Sequence, residues 1–121
     1  MKVEPVNNNI TFTYSSPVKT LFKKGILPLK YGFYGDRITK KTVTIEHLQP
    51  VSQGGKTTLD NVVVVSANKN QERGVRPLKE MLNWEHVGRY LEPFKDFKYK
   101  DFDGNKYIQG ILQKIEKLIQ Q

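Results

Sequence analysis

Apolar positions recur along the chain with two periods, and the change between them divides it into strands and helices. Ile10, Phe12 and Tyr14 alternate with Thr11 and Thr13, and Val43 and Ile45 alternate with Thr42 and Thr44. Period two predicts two half-buried strands, the second over 40–48. Residues 61–65 (NVVVV) are a β-branched run, expected to form a strand antiparallel to 40–48. Near the C-terminus Ile108, Ile111, Leu112, Ile115 and Leu118 are spaced three and four apart, which predicts an amphipathic helix over 106–121 that packs on its own domain.

Punctuating residues set the remaining boundaries. Ser16-Pro17 reads as an N-cap and first helical position, Val18, Leu21 and Phe22 share one face, Gly25 can end that helix, and Lys19, Lys23 and Lys24 point outward. Ser66 can cap a helix running through Asn70 to Arg73, with Gly74 as its stop. Pro77 opens a helix bearing Leu78, Met81 and Leu82, and Asn83 caps WEHVGRYLE, which Pro93 ends. The segment 28–38 (PLKYGFYGDRI) reads as a tight hairpin or knuckle, and 49–60, with Pro50 and Gly54-Gly55, as a loop. Residues 1–9 read as a loose end, and 95–105 mix aromatics and charges without a legible element.

Size and charge narrow the class. The 121 residues suit one domain with a modest core. Lys and Arg number 20 against 12 Asp and Glu, and the resulting charge of +8 favours a polyanionic partner, nucleic acid before a membrane surface. Without cysteine the chain can build neither a disulfide framework nor a thiolate zinc site. With no signal-peptide pattern and no long apolar run, a soluble cytoplasmic protein is expected.

Candidate chemistry concentrates in 44–74. Glu46-His47 places an acid beside an imidazole, and Asn61 and Asn70 follow 14 and 23 residues after His47. An imidazole that is largely neutral at physiological pH can take a proton from water. Glu46 and Asn70 can offer a carboxylate and an amide oxygen to one divalent cation, Mg²⁺ or Mn²⁺. Asn61, starting the returning strand, can bond across the loop and fix the strand that carries His47. Neighbours on a strand point to opposite faces, so local irregularity is expected at 48–50 to let Glu46 and His47 approach one site. Lys56, Arg73, Arg76 and Lys79 are candidate phosphate contacts. His86 is read as structural. Asp101, Asp103 and Asn105 have the opening spacing of a calcium loop, but Lys106 and Leu112 stand where that loop needs Gly and Glu.

The ordered set Glu46-His47, Pro50, Ser52, Gly54-Gly55, Asn61, Asn70 and Arg73-Gly74 resembles the HNH nuclease superfamily, in the variant whose last motif residue is Asn. The resemblance implies an α+β fold: a ββα-metal core over about 28–82, an N-terminal strand and short helix, and additional C-terminal helices. It implies His47 as general base, Glu46 and Asn70 as metal ligands, and Asn61 as the residue that orients the histidine. The implied activity is metal-dependent nicking of DNA by a monomer or weak homodimer. An accessory binding module with a weak site, and a nuclease for RNA or branched DNA, are the alternatives. Many relatives hold structural zinc with two Cys-x-x-Cys pairs. Here Tyr31 and Tyr34, then Ser66 and Lys69, occupy those positions, so no structural zinc is expected and Tyr31, Phe33 and Tyr34 are expected to hold the knuckle by packing.

Overall fold

Ser16 accepts hydrogen bonds from the backbone N–H groups of Val18 and Lys19, and Pro17 supplies a pre-set φ, so α1 starts there and runs Pro17–Lys23. Gly25, at φ +73°, turns the chain away. The computed structural model describes residues 16–121; the strand expected at 10–14 and the loose end at 1–9 lie outside the described residues.

β1 (Val43–His47) and β2 (Val62–Ser66) pair antiparallel with His47 opposite Val62 and Glu46 opposite Val63. Chain direction then passes straight into α2 (Ala67–Arg73), because Ser66 accepts from the Lys69 N–H and Gly74 closes the far end. The alternation of 40–48 carries over imperfectly to burial. Val43 is buried, but the next buried residue is Glu46 rather than Ile45. All five residues of β2 are buried, which accounts for its unbroken β-branched sequence.

The knuckle at 28–38 is tied to β2 by backbone and side chain. Tyr31 bridges Arg37, Gly35 sits at φ +86°, Phe33 N–H donates to Val64 O at 2.9 Å, and Ser66 N–H donates to Asp36. Phe33 is buried in T-shaped contacts with Tyr34 and Tyr90, at ring separations of 5.2 and 5.7 Å. Tyr31 departs from the expected role. It is only half-buried, and the Arg89 guanidinium lies over its ring at 5.2 Å.

Three helices and a hairpin complete the chain. α3 is Leu78–Met81, and α4 is Trp84–Leu91, capped by Asn83 accepting from His86 N–H. Pro93 does not break the chain direction at once; it sits inside a 3-10 turn, Glu92–Phe94, that extends α4. Residues 95–105 hold a small hairpin, β3 (Lys98–Tyr99) with β4 (Phe102–Asp103); Lys100 in its turn and Asp96, two residues before β3, adopt positive φ.

α5 (Gly104–Ile119) begins two residues before the expected 106, because Asp103 caps it and Gly104 lies where a Cβ would come 2.0 Å from Phe94 O. Its buried face is built on Tyr107, Gly110, Ile111 and Ile115, with Ile108 and Leu118 partly covered. Leu112, expected in the stripe, is 40% exposed because Tyr107 shifts the centre of the face. Tyr107 O–H donates to Val62 O at 2.8 Å and lies 2.8 Å from Tyr90 OH, which accepts from Val64 N–H. These phenols fasten the C-terminal helices to β2. The result is α+β, with one cluster of buried side chains running from Val18 to Ile115. Among the described residues no helix is long and apolar enough to cross a membrane.

Candidate active site

His47 is the last residue of β1, and the loop after it is held by Asn61. Leu48 N–H donates to Asn61 O at 2.8 Å, after which the Asn61 side chain takes over the pairing. Its Oδ1 accepts from Gln49 N–H at 2.8 Å, while Nδ2 donates to Gln49 O at 3.1 Å and Lys56 O at 2.8 Å. The irregularity expected at 48–50 takes the form of a strand end, β1 stopping at His47, rather than a bulge. Backbone pairing simply hands over to a buried amide that satisfies three main-chain groups of the loop. A 3-10 turn at Val51–Gln53 and Gly54 at φ +90° reverse the chain. Gly55 then passes so close to Gln49 that a Cβ would lie 1.8 Å from the Gln49 carbonyl oxygen. The Gly-Gly pair thus answers two separate demands, one of φ and one of space.

The returning limb brings Thr57 to the histidine. His47 Nε2 and Thr57 Oγ1 are 2.8 Å apart, and burial lowers the imidazole pKa from its ordinary value, favouring the neutral ring. Asn61, named from sequence as the orienting residue, makes its bonds to loop backbone; the group touching the ring is Thr57.

α2 packs against β1. Asn70 Nδ2 donates to Ile45 O at 3.1 Å, which leaves the amide oxygen as the atom available for a ligand. Arg73, three residues on and therefore on the same helix face, is 2% exposed. Its Nε donates to Arg76 O at 3.0 Å, and its two terminal nitrogens donate to His47 O at 2.8 Å and Leu48 O at 2.7 Å. This corrects the expectation that Arg73 contacts phosphate. The guanidinium is inside the protein, clamping the end of the strand that carries His47.

Glu46 completes that buried cluster. Its Oε2 accepts from Tyr34 O–H at 2.9 Å and stands 3.4 Å from the Arg73 guanidinium. Burial pushes the Glu46 carboxyl above its usual range, although Tyr34, Arg73 and the His47 backbone all favour the charged form. Desolvation also raises the Tyr34 phenol, with the Glu46 charge adding to it, so the phenol stays protonated and donates. In place of the four zinc-ligand positions, Tyr34 joins this network, Ser66 caps α2, Lys69 pairs with Glu72, and Tyr31 sits under Arg89.

The other sequence candidates are peripheral. Lys56, Arg76 and Lys79 are exposed. Lys79 lines a groove of about 230 Å³ with Leu48, Pro50, Gln53 and Pro77, beside the end of β1. His86 packs its ring over Gly35, where a Cβ would lie 2.5 Å from it. Asp103 caps α5, and the Asn105 side chain bonds Asp96, so those residues have structural partners. Among the described residues no three His, Cys, Asp or Glu side chains converge as a metal cluster. Sequence reasoning missed Thr57 and the inward turn of Arg73. The i, i+3 spacing from Asn70 was a usable signal for the arginine; a threonine ten residues after a histidine carries none.

Comparison of the chain with protein-family models, with curated proteins and with solved structures returns no match.

Proposed function

We propose that this protein is a small divalent-metal-dependent endonuclease of the HNH type that hydrolyses DNA phosphodiester bonds, nicking one strand per site. One observation carries the reading. The two asparagines of the ordered set bracket His47, Asn70 bonding the backbone two residues before it and Asn61 the backbone two residues after it. Two residues 14 and 23 positions further along the sequence thereby hold the backbone on either side of the histidine.

The chain's own groups then divide the work. His47, neutral above its lowered pKa, takes the proton of the attacking water. Asn61 keeps the loop from drifting, and Arg73 holds the His47 and Leu48 carbonyls so that β1 ends in one position. Glu46 and Asn70 would hold a hard divalent cation, which when bound supplies positive charge at the phosphate and the leaving oxygen. The chemistry of the donors suits such an ion: both are oxygens, one carried by β1 and the other by α2, which packs on it. Exposed Lys56, Arg76 and Lys79, with the net charge of +8, supply non-specific attraction to the DNA backbone.

The test is nicking of supercoiled plasmid with Mg²⁺, with EDTA, and with His47→Ala and Asn70→Ala. Metal-dependent nicking abolished by both substitutions is the expected result; activity that survives His47→Ala sinks the assignment of the base. A second reading draws on one observation, that Glu46 Oε2 is already engaged by Tyr34 and Arg73. Under it the chain is an accessory DNA-binding module with a closed site. Salt-sensitive DNA binding without cleavage under any divalent ion would select it.

A further inference from the structure

We propose that Thr57 is a positioning residue for His47: its hydroxyl oxygen accepts the Nε2–H of the imidazole and so reserves Nδ1 as the nitrogen that takes the proton from water. This rests on the nuclease reading above and names the atom at which its base acts.

A neutral imidazole has one N–H and one lone pair, on different nitrogens. Thr57 Oγ1 lies 2.8 Å from Nε2, and among the described residues the ring makes no other hydrogen bond. Two arrangements satisfy that distance. If the threonine hydroxyl donates, the Nε2 lone pair is consumed and the proton is on Nδ1, leaving the ring no acceptor for a water proton. If the hydroxyl accepts, Nε2 carries the proton and the Nδ1 lone pair is free. Only the second arrangement leaves a base.

Thr57 is also held in a way that an incidental loop contact is not. The carbonyl of the preceding residue, Lys56, accepts from Asn61 Nδ2 at 2.8 Å, and Asn61 itself is 1% exposed. On the other side Thr58 Oγ1 bonds Asp60, and Leu59 is 2% exposed in the core. Asn61 therefore acts on the histidine at second hand. It fixes the loop to Gln49 and Lys56, the loop fixes Thr57, and Thr57 fixes the ring.

The experiment uses the full chain with ¹⁵N-labelled histidine, together with Thr57→Val, which removes the hydroxyl at nearly constant volume, and Thr57→Ser, which keeps it. Amide spectra confirm that each variant is folded. In metal-free protein at pH 7.5, the wild type and Thr57→Ser are expected to show a solvent-protected proton on His47 Nε2, and Thr57→Val to lose that protection. Nicking should follow the same division: kcat of Thr57→Val falls by about tenfold or more with KM little changed, and Thr57→Ser stays within a few-fold of wild type. A His47 proton on Nδ1 in the wild type overturns the proposal, and so does a folded Thr57→Val that nicks at the wild-type rate. A wild type that shows the Nε2 proton and loses it in Thr57→Val, yet cleaves nothing with any divalent ion, overturns the nuclease reading and with it the purpose assigned to Thr57, while the hydrogen bond itself stands.

Discussion

Replacing Arg73 with methionine keeps most of the aliphatic volume and deletes the guanidinium, so it isolates what the buried charge contributes. In the folded protein the carbonyls of His47, Leu48 and Arg76 lose their donor, and Glu46 loses the cation 3.4 Å away. Removing one partner of a buried ion pair costs about 3–5 kcal/mol, because the other charge remains desolvated. Each orphaned buried acceptor taken alone costs about 1–3 kcal/mol, but groups sharing one donor do not add. The expected loss for Arg73→Met is therefore about 3–5 kcal/mol, a large share of the ~5–15 kcal/mol typical of a domain. Urea unfolding followed by circular dichroism measures it, with Glu46→Gln made in both backgrounds as a double-mutant cycle. Glu46→Gln should be much less harmful in the Arg73→Met background, since it removes the uncompensated charge. The pH dependence has a definite sign. A carboxyl whose folded pKa lies above its unfolded value contributes stability at low pH that is lost as pH rises through the folded pKa, so the Arg73→Met penalty should shrink at pH 5 relative to pH 8. A loss under about 1 kcal/mol, or a Glu46→Gln cost equal in both backgrounds, would refute the clamp.

Three further outcomes follow from the site. Gly54→Ala should cost about 1–2 kcal/mol for its left-handed φ, whereas Gly55→Ala should cost more and also abolish nicking, because its Cβ would collide with the Gln49 carbonyl; thermal unfolding and plasmid nicking separate the two. In the metal-free protein the His47 ring should titrate with a midpoint below ~6.5 by NMR, and because that folded pKa is depressed, its contribution to stability is present above the unfolded pKa and lost as pH falls through the folded one. Arg76→Ala with Lys79→Ala should leave the unfolding midpoint unchanged and lower the slope of log K against log salt for DNA binding by about 1 per phosphate contact removed.

The helix starts were legible because local chemistry decides them: Ser16, Ser66, Asn83 and Asp103 all serve as N-cap acceptors, and of these only Asp103 was not read as a cap in advance. The strand pair and α2 followed from β-branching and from the Ser66 to Gly74 frame. What escaped the sequence depended on tertiary partners. An arginine in the last turn of a short helix looks like surface charge until Asn70, three residues earlier, is known to face β1. Glu46, read from sequence as a metal ligand, gives no sign of burial until Tyr34 and Arg73 close over it. The hairpin at Lys98–Tyr99 and Phe102–Asp103 was illegible because positive φ falls on Lys100 in its turn, and on Asp96 just ahead of it, rather than on glycine.

Two five-residue strands are a marginal sheet in isolation, and a ribbon with open flanks invites pairing with another chain. Here both flanks are already taken. Along β2, Val64 meets Phe33 N–H and Tyr90 OH, Val62 O meets Tyr107 OH, and Ser66 N–H meets Asp36. Along β1, Ile45 O and His47 O receive Asn70 and Arg73. The side chains that shape the candidate site therefore also deny strand addition. A substitution at Asn70 or Arg73 would unmask a backbone edge beside His47, so such variants should be watched for self-association as well as for lost activity.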